Sequence, residues 1–111
     1  MNRVFKALAD PTRRRVLQLL RERPMLAGEL SEHFAVSKPT MSAHFSILQE
    51  ADLIEAEKHG RTIVYRLKMS VVEDALLSFI QTLGWEIEMA DGGSRLTGRR
   101  AKKRRLLKRE A

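Results

Sequence analysis

Apolar residues along this chain recur every three or four positions in some segments and at alternate positions in others. The three-to-four spacing predicts five helices. The second of them should open at Asp10, which can cap it, with Pro11 in its first turn, where a missing N–H costs nothing. It should stop before Pro24, because proline disfavours helical backbone in the residue before it. Short helices are predicted on either side, over residues 2–9 and 27–34.

The fourth predicted helix has the clearest pattern. Ser37 can cap it, and Pro39 falls in its first turn. Its buried stripe is predicted to be Met41, Phe45 and Leu48. Small or polar residues occupy the opposite face: Pro39, Ser42, Ala43 and Ser46. Because such side chains are short, the helix can lie close enough to a DNA groove to reach the base edges.

Alternating apolar positions follow the fourth helix and predict two strands, over residues 53–58 and 62–67, joined around His59-Gly60. Ser70 to Glu73 has the sequence of a capping box and predicts a fifth, longer helix. The apolar residues of that helix share one side: Val72, Leu76, Phe79, Ile80, Leu83 and Ile87. Residues 90–94 contain two adjacent glycines and are predicted to be a linker.

A capped helix followed by a hairpin with a basic tip is the element order of a winged helix-turn-helix, whose helix enters the DNA major groove while the hairpin touches the backbone. The predicted fold is mainly α with a small β-hairpin, five helices plus a wing. The predicted DNA-binding residues are Ser37, Lys38, Pro39, Thr40, Ser42, Ala43, His44, Ser46, Lys58, His59 and Arg61. We assign Lys38 and Thr40 to phosphate or groove contacts, and His44 to a structural or a phosphate-bonding role.

The first and last predicted helices each carry an apolar stripe, although the middle helices already supply enough apolar residues for a core. We therefore expect a homodimer in which these stripes meet a second copy. The predicted interface residues are Val4, Phe5, Leu8, Leu76, Phe79, Ile80 and Leu83.

Composition limits the other possibilities. A chain of 111 residues is one domain by length, and at 43% hydrophobic residues its core is small. The absence of cysteine excludes disulfides, thiolate metal sites and cysteine catalysis. No apolar signal segment or membrane-length run is present, so the expectation is a cytoplasmic protein without membrane insertion. We find no nucleophile–base pair, no phosphate-binding glycine loop and no carboxylate pair with a role, so no enzyme and no cofactor is predicted.

The net charge of +7 is concentrated at one end of the chain. From Arg95 onward there are nine of the 21 Lys/Arg residues and one of the 14 acids, which leaves 12 bases and 13 acids in residues 1–94. The sequence therefore predicts a DNA-binding and dimerisation domain over residues 1–90 and a basic tail over 91–111, as coil or basic helix. The tail could add phosphate contacts, bind an acidic partner or only aid solubility.

Four segments resemble the ArsR/SmtB family of winged-helix repressors: residues 5–14, 26–34, 37–48 and 60–67. Within the family the chain looks most like the metal-independent SdpR-type autorepressors. The resemblance implies a homodimeric repressor on a palindromic operator of double-stranded DNA, often its own promoter. It also implies release through a sequestering protein partner. The family's metal sensors use a cysteine pair on the third helix or a His/Asp/Glu set on the last, and neither set is present in this sequence.

Two other function classes compete with the repressor hypothesis. An RNA- or ribosome-associated protein could act through the basic tail. A ligand-gated or metal-gated sensor could share the fold, but His33 and His59 lie in different elements without a third ligand near either, so no metal site is predicted.

Overall fold

The computed structural model describes the backbone of residues 2–90 and 93–100 and the side chains of residues 2–85. The helices are α1 (Asn2–Leu8), α2 (Pro11–Glu22), α3 (Ala27–Glu32), α4 (Lys38–Glu50) and α5 (Met69–Thr82). The strands are β1 (Met25–Leu26), β2 (Ile54–His59), β3 (Thr62–Leu67), β4 (Trp85–Ala90) and β5 (Gly93–Arg100). The described residues fall into two compact units that divide after Val72.

The predicted five helices and wing are confirmed. The wing is the antiparallel pair of β2 and β3, in which Ile54 lies opposite Leu67 and His59 opposite Thr62. Strand β1 was not predicted, because a two-residue strand is too short to show any periodicity. It adds to the free edge of β3, with Met25 opposite Tyr65, so the sheet order is β1-β3-β2.

Side-chain caps fix the starts of α2 and α4. The backbone N–H of Arg13 donates to Asp10 Oδ2 at 3.1 Å, and Pro11 occupies the first turn of α2, both as predicted. The backbone N–H of Thr40 donates to Ser37 Oγ at 3.3 Å at the start of α4. Both caps satisfy N–H groups that have no partner within the helix.

The C-terminus of α4 ends in a Schellman motif. Asp52 adopts a left-handed backbone with φ of 63°. Its N–H donates to Gln49 O at 2.9 Å, and the N–H of Leu53 donates to Leu48 O at 3.0 Å. Leu48 and Leu53 are both fully buried, which supplies the apolar contact that accompanies this motif. The motif turns the chain from the end of α4 into the wing.

The core of the first unit lies between the helices and the sheet. It is formed by Val4, Ala7, Val16, Leu20, Met25, Leu30, Met41, Phe45, Leu48, Ala51, Leu53, Ile54 and Tyr65. The rings of Phe45 and Tyr65 lie 4.7 Å apart between centroids, at 38° to each other, and so join α4 to β3. Burial raises the pKa of the Tyr65 hydroxyl.

Helix α5 differs from the prediction at both of its ends. Helix α5 begins at Met69, one residue before the predicted cap at Ser70, because the Lys68 carbonyl already accepts from the N–H groups of Val71 and Val72. The helix then ends at Thr82, so the prediction that Ile87 extends its apolar side was wrong.

Gly84 explains the early end of α5. It has a φ of 81°, which suits glycine, and its N–H donates to Gln81 O at 2.9 Å. Strands β4 and β5 follow and pair with each other, with Ile87 opposite Leu96 and Glu88 opposite Arg95. Residues 95–100, expected as coil or helix, are therefore strand, while the predicted tail residues 101–111 lie outside the described residues.

Candidate nucleic-acid interface

The structure separates the two faces of α4 as the sequence predicts. Met41, Phe45 and Leu48 are 0%, 3% and 0% exposed and anchor the helix in the core. The small or polar residues of the opposite face are exposed: Pro39, Ser42, Ala43 and Ser46. Since none of these four side chains is long, the backbone of α4 can approach another surface closely at their positions.

The first turn of α4 presents polar groups beside that face. Ser37, Lys38 and Thr40 are all exposed. The hydroxyl of Ser37 donates to Thr40 Oγ1 at 2.9 Å, which leaves the proton of Thr40 available to an outside acceptor. The positive end of the helix and the Lys38 ammonium both favour an anion at this position.

His44 differs from the other predicted DNA-binding residues of α4, which are exposed, because its side chain is only 14% exposed. Its Nδ1 lies 3.1 Å from Nη1 of Arg13 and 4.0 Å from Oδ2 of Asp10. Burial acts to raise the pKa of Asp10, but the backbone N–H groups of Arg13 and Thr12 outweigh it and hold that pKa below its usual value. His44 thus contacts Arg13 and lies beside Asp10 at the start of α2.

Arg13 is a residue of this site that sequence reasoning missed. It is 9% exposed, and its Nε and Nη2 donate to the carbonyls of Ala7 at 2.8 Å and Lys6 at 2.9 Å. These carbonyls belong to the last turn of α1, where the N–H of Ala9 also donates to Lys6 O at 3.3 Å. A signal was present in the sequence, because Arg13 continues the buried stripe of Val16 and Leu20 at helical spacing.

The wing presents both predicted cations and an unexpected acid. Lys58, His59 and Arg61 are exposed around Gly60, whose φ of 63° forms the tight turn. Glu57 Oε1 lies 2.5 Å from His59 Nε2, and Glu57 Oε2 lies 3.8 Å from Arg66 Nε. Glu57 thus offsets part of the positive charge of the wing.

The predicted dimer residues are unequally exposed. Val4 is 8% exposed and is already covered within its own unit, whereas Phe5 and Leu8 of α1 are half-buried. On α5, Leu76 and Phe79 are 40% and 36% exposed and Ile80 is half-buried, while Leu83, directly after the helix, is 49% exposed. Of the two predicted stripes, the one on α5 is thus the more open.

Comparison with known proteins supports this interpretation of the fold. A family profile for a helix-turn-helix domain matches residues 8–57. The transcriptional repressor SdpR of Bacillus subtilis (strain 168) is 46% identical over 83 residues, which are 72% of this chain and 92% of SdpR. The crystal structure of an ArsR family transcriptional regulator superimposes with a TM-score of 0.65 at 33% identity, over 74% of this chain and 92% of that one. The chain belongs to the ArsR/SmtB family of winged helix-turn-helix repressors.

As a member of the ArsR/SmtB family, the chain is a DNA-binding transcriptional regulator, as the leading sequence hypothesis predicted. The homodimer and the palindromic operator stay predictions. Another relative, the transcriptional regulator KmtR of Mycobacterium tuberculosis, is 36% identical over 77 residues, which are 69% of this chain and 59% of KmtR. These relatives are transcriptional regulators and not enzymes.

The described residues of this ArsR/SmtB protein contain neither a candidate metal cluster nor a membrane-spanning helix. Among those residues, no three His, Cys, Asp or Glu side chains are close enough together to hold a metal ion. None of the helices in the same part of the chain is long and apolar enough to cross a membrane.

Proposed function

We propose that this ArsR/SmtB protein is a repressor that binds a palindromic operator as a homodimer and reads its bases with α4. The exposed, short-side-chain face of α4 is the observation that carries the proposal, because it lies between a capped, basic helix start and a basic wing. A helix with this face can enter the major groove, while the flanking cations neutralise phosphates on either side.

The proposed contacts divide into two groups. Ser42, Ala43 and Ser46 face the bases, where hydroxyl and methyl groups discriminate between base edges. The residues proposed to contact the backbone are Ser37, Lys38, Pro39, Thr40 and His44 on α4, and Lys58, His59 and Arg61 on the wing. Base contacts specify the sequence and phosphate contacts position the protein, so the two groups should respond differently to substitution.

The homodimer is proposed to bury the exposed apolar residues Leu76 and Phe79 of α5 and Leu83 directly after it, together with Phe5 and Leu8 of α1. A two-fold dimer would place two α4 helices about 34 Å apart, one turn of DNA, and would therefore require a palindrome. Sedimentation at micromolar concentration tests this directly. The dimer proposal fails if a monomer binds the palindrome as tightly as expected for a specific repressor.

Selection of bound sequences from random duplex DNA tests the function itself. We expect enrichment of an inverted repeat whose half-sites are centred about one helical turn apart. Matching that repeat to the region upstream of the protein's own coding sequence would support autorepression. Enrichment of no sequence, at a salt concentration where the protein still binds duplexes, would contradict a sequence-specific repressor.

We also propose that metal ions do not regulate operator binding, and that release occurs through a sequestering protein partner, as in the SdpR-type group that the chain resembles. The chain has no cysteine, and α5 has no histidine. Operator affinity should therefore be equal with a chelator and with added zinc. A reversible, many-fold loss of affinity at stoichiometric zinc would overturn this part of the proposal.

A further inference from the structure

We infer that Arg13 is a positioning residue that holds the ring of His44 in the tautomer with hydrogen on Nε2, so that α4 presents this N–H to a DNA phosphate. The phosphate contact rests on the proposed function, whereas the role of Arg13 can be tested on the free protein. Arg13 and His44 are 31 positions apart in the sequence, and α2 and α4 bring them together.

The guanidinium group of Arg13 is held in place before it reaches His44. Its Nε and Nη2 donate to the carbonyls of Ala7 and Lys6, at 2.8 and 2.9 Å, on the last turn of α1. Two bonds to two fixed carbonyls define the plane of a rigid fork. The third nitrogen, Nη1, is therefore aimed at His44 Nδ1, 3.1 Å away. One side chain thus joins the end of α1, the start of α2 and the middle of α4.

The chemistry of this contact determines which ring nitrogen of His44 carries the hydrogen. A guanidinium group has five N–H donors and no acceptor, so Nδ1 must accept and cannot carry a hydrogen. In this contact the ring hydrogen is therefore on Nε2. The charged groups that face the ring are Arg13 and, 4.0 Å from Nδ1, the carboxylate of Asp10.

The Nε2 atom is available to a ligand. Among the described residues, no side-chain nitrogen or oxygen is both buried and without a hydrogen bond. The Nε2 of His44 has no partner in that part of the chain, so it must reach the surface. His44 lies four residues after Thr40 and therefore on the same side of α4, at the edge assigned to phosphate contacts. An N–H donor at this edge suits a phosphate oxygen.

Nitrogen-15 NMR of the imidazole rings in the free protein tests the first half of the proposal. His44 should show the Nε2–H tautomer, and its signals can be assigned by their loss in His44→Asn. In Arg13→Gln, which cannot donate to all three acceptors, the signals should move towards a mixture of tautomers. A wild-type His44 with hydrogen on Nδ1, or a tautomer that is unchanged in Arg13→Gln, would overturn the role of Arg13.

A pair of substitutions tests the second half. The amide oxygen of His44→Asn can still accept from Arg13, but its side chain is too short to replace Nε2–H. The longer His44→Gln can place an N–H near the position of Nε2 but loses the Nδ1 acceptor. We expect His44→Asn to weaken binding of operator and random duplexes about tenfold at fixed salt, with little change in melting temperature. His44→Gln should lower the melting temperature more and the duplex affinity less.

His33→Asn is a matched control, because His33 is exposed at the end of α3 and outside the proposed contacts. It should change neither duplex affinity nor the His44 signals. Duplex affinity of His44→Asn equal to that of the wild type would overturn the phosphate contact. If the wild-type protein bound no duplex at all, the proposed function would fall, while the tautomer in the free protein would still decide the role of Arg13.

Discussion

At the scale of single residues, the site depends on side chains that are short where the bases would lie. Ser42 is exposed, and the neighbouring Met41 is fully buried, so a change at Ser42 alters the surface without altering the core. We expect Ser42→Phe to fold normally and to weaken operator binding about 10- to 100-fold, because the ring would keep α4 away from the base edges.

Circular dichroism and fluorescence anisotropy together measure this effect. Ser42→Ala serves as the matched control, since it removes the hydroxyl without adding bulk and should cost less affinity than the phenylalanine variant. If Ser42→Phe bound the operator like the wild type, the base-reading face would have to lie elsewhere on α4.

Substitution of Lys38 should weaken binding without regard to DNA sequence, because Lys38 is exposed at the helix start and is proposed to neutralise a phosphate. We expect Lys38→Ala to weaken operator and random duplexes by similar factors and to reduce the slope of log affinity against log salt by about one unit. Titrations at several salt concentrations measure the slope. A loss confined to the operator would mean that Lys38 reads bases.

The sequence predicted the exposed face of α4 correctly because a helix shows its two faces through local spacing alone. It did not predict the pairing of Arg13 with His44, since these residues are 31 positions apart and only the packing of α2 against α4 joins them. The apolar spacing that includes Arg13 was a usable signal. The spacing could not indicate the backbone carbonyls that accept hydrogen bonds from the buried guanidinium group of Arg13.

At the scale of elements, the Schellman motif at the end of α4 controls how the recognition helix leads into the wing. Asp52 holds the left-handed position, with a φ of 63°, and its Oδ1 lies 2.6 Å from Lys68 Nζ. This hydrogen bond raises the pKa of Lys68. A β-branched residue tolerates a left-handed backbone poorly, so Asp52→Val should destabilise the protein by about 1–2 kcal/mol.

Chemical denaturation measures that loss. Asp52→Asn is the control, because asparagine adopts the left-handed conformation readily and lacks the charge that pairs with Lys68. If the asparagine variant lost as much stability as Asp52→Val, the ion pair and not the backbone would be the main contribution of Asp52.

The wing is a second element whose contribution can be separated. Glu57 lies beside both His59 and Arg66, so its carboxylate reduces the attraction of the wing for phosphate. We expect Glu57→Gln to raise duplex affinity only about two- to fivefold, because exposed ion pairs contribute little free energy. Glu55→Gln makes the same charge change on β2 without touching His59 and should have a smaller effect. Equal effects would show that only net charge matters.

The boundary of α5 shows where sequence patterns conflict. Ile87 continues the helical spacing of Phe79 and Leu83, but it also alternates with Trp85 and Met89 at strand spacing. Gly84 decides between the two patterns, because its left-handed backbone ends the helix before the alternating segment begins. Periodicity alone could not rank these signals, since both fit the same residues.

At the scale of the whole molecule, charge and specificity are carried by different parts of the chain. Residues 1–94 hold 12 bases and 13 acids, so the winged-helix part has little long-range attraction for DNA. The positive charge is concentrated after Ser94, in Arg95, Arg99, Arg100, Lys102, Lys103, Arg104, Arg105, Lys108 and Arg109. We therefore expect the tail to set association rate and non-specific affinity, while α4 sets base preference.

Charge neutralisation within residues 102–109 tests this division and leaves the paired strands β4 and β5 unchanged in sequence. The variant changes six residues to glutamine: Lys102, Lys103, Arg104, Arg105, Lys108 and Arg109. It should weaken binding to operator and random duplexes by similar factors and flatten the salt dependence of both, because each phosphate contact contributes about 0.9 to the slope. The preferred sequence from random-duplex selection should not change.

The same variant separates the repressor from the RNA-binding alternative, in which the tail carries the activity. A repressor without tail charge should still select its operator at low salt, since the face of α4 is intact. A tail-driven RNA binder should instead lose most of its affinity and show no duplex preference before or after the change. If the neutralised variant selected a different DNA sequence, the tail would be reading bases, and the separation of charge from specificity would be wrong.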